Sequence, residues 1–332
     1  MSGCATATPT EEAAPVAQQT EAPAEETAAP AEATEAPAEE PVTEQSCKIA
    51  IPWNTHNNWT MTTMHEAAIA EVEAQGCEAL ATVAGGDVTQ HVANIEIATQ
   101  QKVDGIIVGD ANWQDVKGAV DAAIAEDIPV VSCDLGADTV LADITSDNTG
   151  IGKMMAEALV KNLGETGKVI VIYEPGYKPV DVRMDGFYAE MKNHTGIELL
   201  GPFPARFPNQ VAEAKTQMEA LLKQYGDGEI NAVVASYDSQ GVGAAQAIKE
   251  AGREGIIIVS ADGDQEALES ILAGGPFVFT VAQDMATMGK TAADIVISKI
   301  RGEEVQTGTI YVPAFAVDAT NAAELLKERY GK

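Results

Sequence analysis

The sequence predicts an α/β protein built from two similar, doubly wound parallel-sheet lobes behind a disordered acidic segment. Three observations carry this. Short Val/Ile-rich runs bounded by Gly, Asp or Pro alternate with stretches whose apolar residues recur at i, i+3 and i+4, the pattern of βαβ units. The segment VDGIIVGDANWQDVKGAVDAAIAEDIPVVSCD (103–134) shares its layout with INAVVASYDSQGVGAAQAIKEAGREGIIIVSAD (230–262). Each has a strand, an acidic residue at its carboxyl end, an Ala-rich helix, a short turn and a second strand closing on Asp. The length of 332 residues suits two domains of roughly 150 residues, each with a core of its own.

The elements follow in order from Cys47. Strand CKIAIPW precedes a helix near 61–75, and CEALATVA a helix over 88–101. Strand DGIIVGD leads to a helix over 113–126, then IPVVSCD and a short strand near VLADITSD. The cycle resumes with a helix over 150–163, KVIVIYE, a helix over 181–195, IELLGPF and a helix over 209–225. INAVVASYD, a helix over 239–252, IIIVSAD, a helix over 265–273, FVFTVAQD and a helix over 285–301 complete the series. Strands this apolar on both faces belong in parallel sheets covered by helices on both sides.

Residues 1–46 are different in kind. They hold ten Glu, six of the 15 Pro, no Lys or Arg and no aromatic residue. Such an Ala/Glu/Pro/Thr tract buries too little apolar surface to offset its ordering entropy, and its charges repel, so it reads as an extended tether. The whole chain carries a net charge of −31, and 21 of those charges remain on residues 47–332. A field of this sign repels polyanions and argues against nucleic-acid binding. No run of 18 apolar residues is present to span a membrane.

Ligands of open parallel sheets bind beyond the carboxyl ends of the strands, and two lobes meeting there form a cleft. In the first half those ends supply Trp53, Asp110 and Asp134, with Asn58 and Trp59 in the loop after the first strand. The second half supplies Glu174, Tyr177, Arg183, Phe207, Tyr237, Asp238 and Asp262, and Gln283 closes the last full strand. Carboxylates, amides, one guanidinium and aromatic faces suit a polyhydroxylated guest. Each hydroxyl donates to a carboxylate and accepts from Arg or an amide, while the CH faces of a ring lie on aromatic surface. Each residue has a plainer alternative. Asp at a βα junction also caps the next helix, a reading of equal weight for Asp110 and Asp238 and of less weight for Asp134 and Asp262. Trp53 could be core, and Arg183 a solvated surface charge.

No motif for catalysis accompanies this set. G-x-S-x-G, H-E-x-x-H, C-x-x-C and the P-loop are absent, and no strand-linked G-x-G-x-x-G occurs. No enzyme activity, metal or cofactor is therefore expected. His56, His65, His91 and His194 lack metal-ligand spacing and read as surface or loop residues. Cys47 and Cys77 begin neighbouring parallel strands, where a disulfide is geometrically allowed, although two buried free thiols are the preferred reading.

From about 47 to 320 the chain resembles the type I periplasmic sugar-binding proteins, the ribose-binding kind that serve ABC importers. IPWNTHNNWTMTTMHEAA resembles the family's opening segment, with Asn58 on its ligand-binding Asn. IPVVSCD places Asp134 on the sugar-binding Asp, and ITSDNTGIGKMMAEAL resembles the first interlobe crossing. VRMDGFYAEM, IIIVSADGD and TVAQDMATMG place Arg183, Asp262 and Gln283 on the family's Arg, Asp and Gln. The resemblance implies a hinge of three crossings near 146–148, 283–285 and 311–314, with Ser146, Asp147, Asn148 and Asp284 among its residues. One lobe would be 47–146 with 284–312, the other 147–283 with 313–332. It also implies a monomer that closes over a sugar or polyol and hands it to a permease and its ATPase subunit. A sensor module presenting a sugar to a chemoreceptor or histidine kinase is the alternative use of such lobes. A repressor of related core would need a basic helix-turn-helix where this chain has its acidic tract.

Departures from the family pattern affect ligand identity. Thr60 and Met61 stand where the family has an aromatic pair, Leu135 where an Arg often follows the first Asp, and Tyr237 in place of an Asn. These changes imply a guest other than ribose held in the ribose manner. Finally, Cys4 in Met-Ser-Gly-Cys, followed at once by the tether, resembles the mature end of a bacterial lipoprotein. It implies a lipid anchor at Cys4 and an extracytoplasmic location, in a periplasm or at the cell surface; a plain disordered tail is the alternative reading of the segment.

Overall fold

The computed structural model describes residues 47–332 apart from Asn57 and Phe207. The tether and Cys4 lie outside the described residues. The chain first lays down β1 (Lys48–Trp53), α1 (Trp59–Ala74), β2 (Glu78–Val83), α2 (Val88–Gln100), β3 (Gly105–Gly109), α3 (Trp113–Ala125), β4 (Val130–Cys133) and β5 (Ala142–Ser146). It continues through α4 (Asn148–Leu163), β6 (Gly167–Ile172), α5 (Lys178–Met191), β7 (Ile197–Phe203) and α6 (Gln210–Gln224). Next come β8 (Ala232–Ala235), α7 (Asp238–Glu250), β9 (Ile257–Asp262), α8 (Gln265–Leu272) and β10 (Phe277–Gln283). It ends with α9 (Met285–Ile300), β11 (Gly308–Val312), β12 (Ala314–Val317) and α10 (Ala322–Tyr330).

These strands form two six-stranded sheets, ordered β11-β5-β4-β3-β1-β2 and β12-β10-β9-β8-β6-β7. The first is parallel throughout, and the second is parallel except for the β10–β12 pair. The two lobes are thus the doubly wound parallel sheets that the apolar strand runs predict. The side-chain alternation of β1 shows how both faces are covered. Ile49, Ile51 and Trp53 enter a core shared with α1 and α9, whereas Ala50 enters a second core with residues of α2 and α3. The second sheet is likewise packed by α4 and α5 on one face and by α6, α7, α8 and α10 on the other.

The chain passes from the first sheet to the second between β5 and α4, returns between β10 and α9, and crosses again between β11 and β12. β11, β12 and α10 are not among the elements read from the sequence. The two strands are short, half-exposed and unseparated by a helix, so they lack the strand–helix alternation that marks the others. Helix α5 starts at Lys178 rather than 181, with Pro179 in its first turn, where its missing N–H costs nothing.

Two further readings are corrected. Cys47 and Cys77 form a disulfide, with Cα atoms 4.6 Å apart, instead of remaining free thiols. The parallel pairing of β1 with β2 sets Lys48 opposite Glu78, so the residues just before them meet at one sheet end. His65 and His91 are buried rather than superficial. Their Nε2 atoms lie 3.1 Å and 3.3 Å from the carbonyls of Ile51 and Pro52. Burial holds His65 down to about 4 and lowers His91 as well, so both are neutral at pH 7.

Candidate functional site

A cavity of about 90 Å³ lies between the carboxyl ends of the two sheets, room for several waters at the ~10–15 Å³ each needs. Asn58, Asp110, Asp134, Arg183, Tyr237, Asp262 and Gln283 line it, brought together from both lobes. Thr60, Met61, Ala111, Cys133, Tyr177, Pro179, Val180 and Met285 complete the wall.

Each carboxylate is held by a local device. Asp110 follows β3 and accepts the amide N–H of Thr55 at 2.6 Å and its hydroxyl at 3.0 Å, both on Oδ2. Asp134 follows β4 and accepts the Thr145 hydroxyl on Oδ1. Asp262 ends β9 and accepts Gln283 Nε2 on Oδ1 at 2.7 Å. Asp134 is also hydrogen-bonded by the Asn148 side chain. For Asp110 and Asp262 the second carboxylate oxygen has no donor among the described residues, which leaves it for a guest's hydroxyl. All three residues have positive φ (55°, 56° and 135°). Such conformations cost energy in a residue with a side chain and persist where the surroundings impose them, characteristically at functional sites.

Arg183 is buried, against the surface alternative for it, and three of its five N–H groups are engaged. Nε and Nη2 donate to Asn148 Oδ1 at 3.1 and 3.0 Å, and Nη1 to the Ser236 carbonyl at 2.7 Å. Nη1 also lies 3.7 Å from Asp262 Oδ1. The close crossing of α4 and α5 makes this contact geometry available. A Cβ on Gly152 would lie 1.9 Å from the Arg183 carbonyl, so only glycine lets the two backbones approach so near. Among the described residues Arg183 is the one basic side chain in the lining, facing three carboxylates. Leu135 is buried in the first-lobe core beside α3 and contributes no charge.

Burial dominates the electrostatics. It pushes the Asp110 carboxyl up to about 7, against the lowering effect of the Thr55 bonds. Asp134 and Asp262 are raised for the same reason, with Arg183 pulling both back toward the ordinary range. Burial also raises the Cys133 thiol well above its usual value, so it is a neutral wall group.

The other nominated residues lie elsewhere. Trp53 is wholly buried in the first-lobe core, with its ring stacked 4.9 Å from that of His65, so it does not reach the cavity. Trp59 opens α1 and lies against Arg329 and Tyr330, outside the lining. Phe207 lies outside the described residues. The capping alternatives also resolve. Asn112, not Asp110, caps α3, and Asp238 sits inside the first turn of α7 behind Tyr237. Asp238 is buried and accepts the amide N–H groups of Gly263 and Asp264 at 2.8 Å each, which fixes the turn after Asp262. At the crossings Ser146 is buried, Asp147 caps α4 through Gly150, Asn148 carries Arg183, and Asp284 caps α9 through Thr287. Met61, noted as a departure from the family's aromatic pair, lies in the wall; sequence reasoning missed the other apolar wall residues Ala111, Pro179, Val180 and Met285. Nothing in their local pattern sets them apart from core residues.

Asn58 has two roles. Its Oδ1 caps α1, accepting from the Met61 amide at 2.9 Å and the Thr60 hydroxyl at 2.7 Å. Among the described residues its side-chain N–H groups have no acceptor, and Asn58 lines the cavity. The site as a whole offers acceptors from three acids and donors from Arg183 and Asn58, with no positioned nucleophile–base pair and, among the described residues, no metal-ligating cluster. Such a set suits a small hydroxylated molecule.

Fold and cavity together define a two-lobed solute-binding protein. The chain belongs to the periplasmic binding protein domain family, whose model matches residues 49–304. It is 26% identical over 255 residues to the xylitol-binding protein of Mycolicibacterium smegmatis, covering 76% of this chain and 72% of that one. It is 28% identical over 270 residues to a ribose import binding protein of Bacillus subtilis, covering 80% and 85%. Among solved structures, an ABC transporter solute-binding protein of Agrobacterium vitis with bound allitol superposes with a TM-score of 0.81 at 29% identity, covering 85% of this chain and 99% of that one.

Proposed function

We propose that this protein captures an uncharged sugar or polyol between its lobes and delivers it to the permease of an ABC importer. The convergence of Asp110, Asp134, Asp262, Arg183 and Asn58 from both lobes on one small cavity carries this reading. Hydroxyl groups satisfy such a set, donating to the acids and accepting from the guanidinium and amide. The three carboxylates against one Arg disfavour phosphorylated or carboxylated guests, which would face unpaired like charge in a buried space. The xylitol, ribose and allitol named for the relatives are of the expected kind. The lobes, 47–146 with 284–312 and 147–283 with 313–332, move about the three crossings. Closure removes water from the hydroxyl–carboxylate bonds and thereby strengthens them. The closed monomer is then the form the permease and its ATPase recognise.

A thermal-shift screen across pentoses, hexoses and alditols tests the reading. A true ligand at 100 times its Kd adds about 2.7 kcal/mol of stability. Asp134→Ala or Asp262→Ala removes that shift while the protein remains folded. Normal binding by both variants would mean that the guest sits elsewhere.

We further propose that lipid on Cys4 holds the protein at the outer face of a membrane, with residues 5–46 as tether. The Met-Ser-Gly-Cys segment followed directly by the acidic tract supports this. In cells making the full chain, Cys4→Ser moves the protein from the membrane fraction to the soluble one; an unchanged distribution refutes the anchor.

A further inference from the structure

Trp59 lies over a guanidinium, not against the cavity. Arg329, in the last turn of α10, has its guanidinium carbon 4.7 Å from the centre of the Trp59 ring. Arg329 Nη1 donates to the carbonyls of Asp262 at 3.0 Å and Gly263 at 3.1 Å, and Nη2 to that of Gln283 at 2.5 Å. Its neighbour Tyr330 donates its hydroxyl to the Gly263 carbonyl at 3.2 Å and packs its ring 5.5 Å from Trp59. Asp262 and Gln283 both line the cavity, and so does Asn58, which immediately precedes Trp59. One cation outside the lining therefore grips the main chain of two lining residues and seats on the residue next to a third. Those residues come from both lobes, since α1 packs on the first sheet and α10 on the second.

The grip is where strain is greatest. Asp262 has a φ of 135°, a conformation that its surroundings must impose. Asp238 holds the following turn by its amide N–H groups, and Arg329 holds the same turn by its carbonyls. Only a planar fork can serve three carbonyls and stack on an indole at once; a lysine is a single point charge on a flexible stem.

We propose that Arg329 is a positioning residue for ligand capture. Acting through backbone carbonyls, it sets Asp262 and Gln283 against Asn58 of the other lobe, with Trp59 as its seat. This rests on the cavity being the ligand site proposed above.

The test uses the full chain and whichever pentose, hexose or alditol of the thermal-shift screen most stabilises the wild type, with D-ribose, xylitol and allitol among the probes. Affinity is measured by calorimetric titration, and the melting temperature of the ligand-free protein is measured separately. Arg329→Met removes the donors at similar length and should weaken binding about tenfold or more. Arg329→Lys should fall between that variant and wild type. Trp59→Ala should weaken binding, and Trp59→Phe, which restores an aromatic face, should recover most of the loss. A merely structural role lowers the melting temperature and leaves the folded protein's affinity unchanged, and that result overturns the proposal. Should Arg329→Met fail to fold, equal affinity in Trp59→Ala and Trp59→Phe overturns it equally. If no probe stabilises the wild type, the ligand reading itself fails and the positioning role falls with it.

Discussion

Asp110 shows at the residue scale how burial and function pull against each other. Its folded-state value of about 7 lies above the 3.8 of an unperturbed Asp. The empty folded protein therefore binds more protons than the unfolded chain between about pH 4 and 7, and loses stability as pH rises through that window. A guest's hydroxyls donate to the ionised form and draw the value back down. Ligand affinity should accordingly rise from pH 5 to 8, and calorimetry in buffers of different ionisation enthalpy should register proton release on binding. Affinity independent of pH would show that Asp110 is not a ligand contact. The Asp residues at strand ends were readable in the sequence because a carboxylate following an apolar run is conspicuous. The fates of the two tryptophans were not. Trp53 ends β1 on the side that alternation sends into the core, and Trp59 finds a partner 270 residues away in the chain. The first has only the alternation of a strand covered on both faces as a local sign, and the second has none.

At the scale of elements, two contacts join the lobes beside the cavity, each between a loop or helix cap of the first lobe and the start of α5 or the loop before it. Asn112 caps α3 with Oδ1, accepting from the Gln114 amide at 3.0 Å, while its Nδ2 donates to the Gly176 carbonyl just before α5 at 2.9 Å. Gly136, at φ +64°, lies against Lys178 in the first turn of α5. A Cβ there would sit 2.5 Å from Lys178 Cγ, and its three nearest atoms would all belong to Lys178. These facts allow closure to be separated from folding. Asn112→Asp keeps the cap oxygen and loses the cross-lobe donor, so affinity should fall several-fold with little change in the ligand-free melting temperature. Gly136→Asn tolerates the left-handed backbone but wedges the lobes apart, and should weaken binding more. Equal affinity for wild type and Gly136→Asn would mean that the lobes do not meet this way in the bound form. Most helices and strands were legible from periodicity and turn residues. β11, β12 and α10 were not, because short half-exposed segments carry no strong period. Yet α10 bears Arg329.

Across the whole molecule, stability and binding are built at opposite ends of the sheets. The Cys47–Cys77 disulfide ties the amino ends of β1 and β2, and the cavity lies past the carboxyl ends. Six-residue strands put roughly 20 Å between them at ~3.3 Å per residue. A cross-link of sequence separation 30 restricts the unfolded chain by about 3–4 kcal/mol. Replacing both cysteines by Ser should lower the melting temperature by several degrees and leave ligand affinity unchanged. A changed affinity would show that the two ends are coupled.

By itself the sequence determined the two-lobed α/β class, an acidic field that argues against polyanion partners, and the identity of most polar groups in the cavity. These follow from short-range rules: apolar periodicity selects strand or helix, and charge composition sets the long-range field. The tertiary structure alone decided which carboxylate oxygens stay free of protein donors, which aromatic side chains leave the cavity for the core or for Arg329, and that Cys47 and Cys77 join. Each of those outcomes depends on atoms distant in the chain meeting within a few ångströms, and the order of the residues does not encode that in any local pattern.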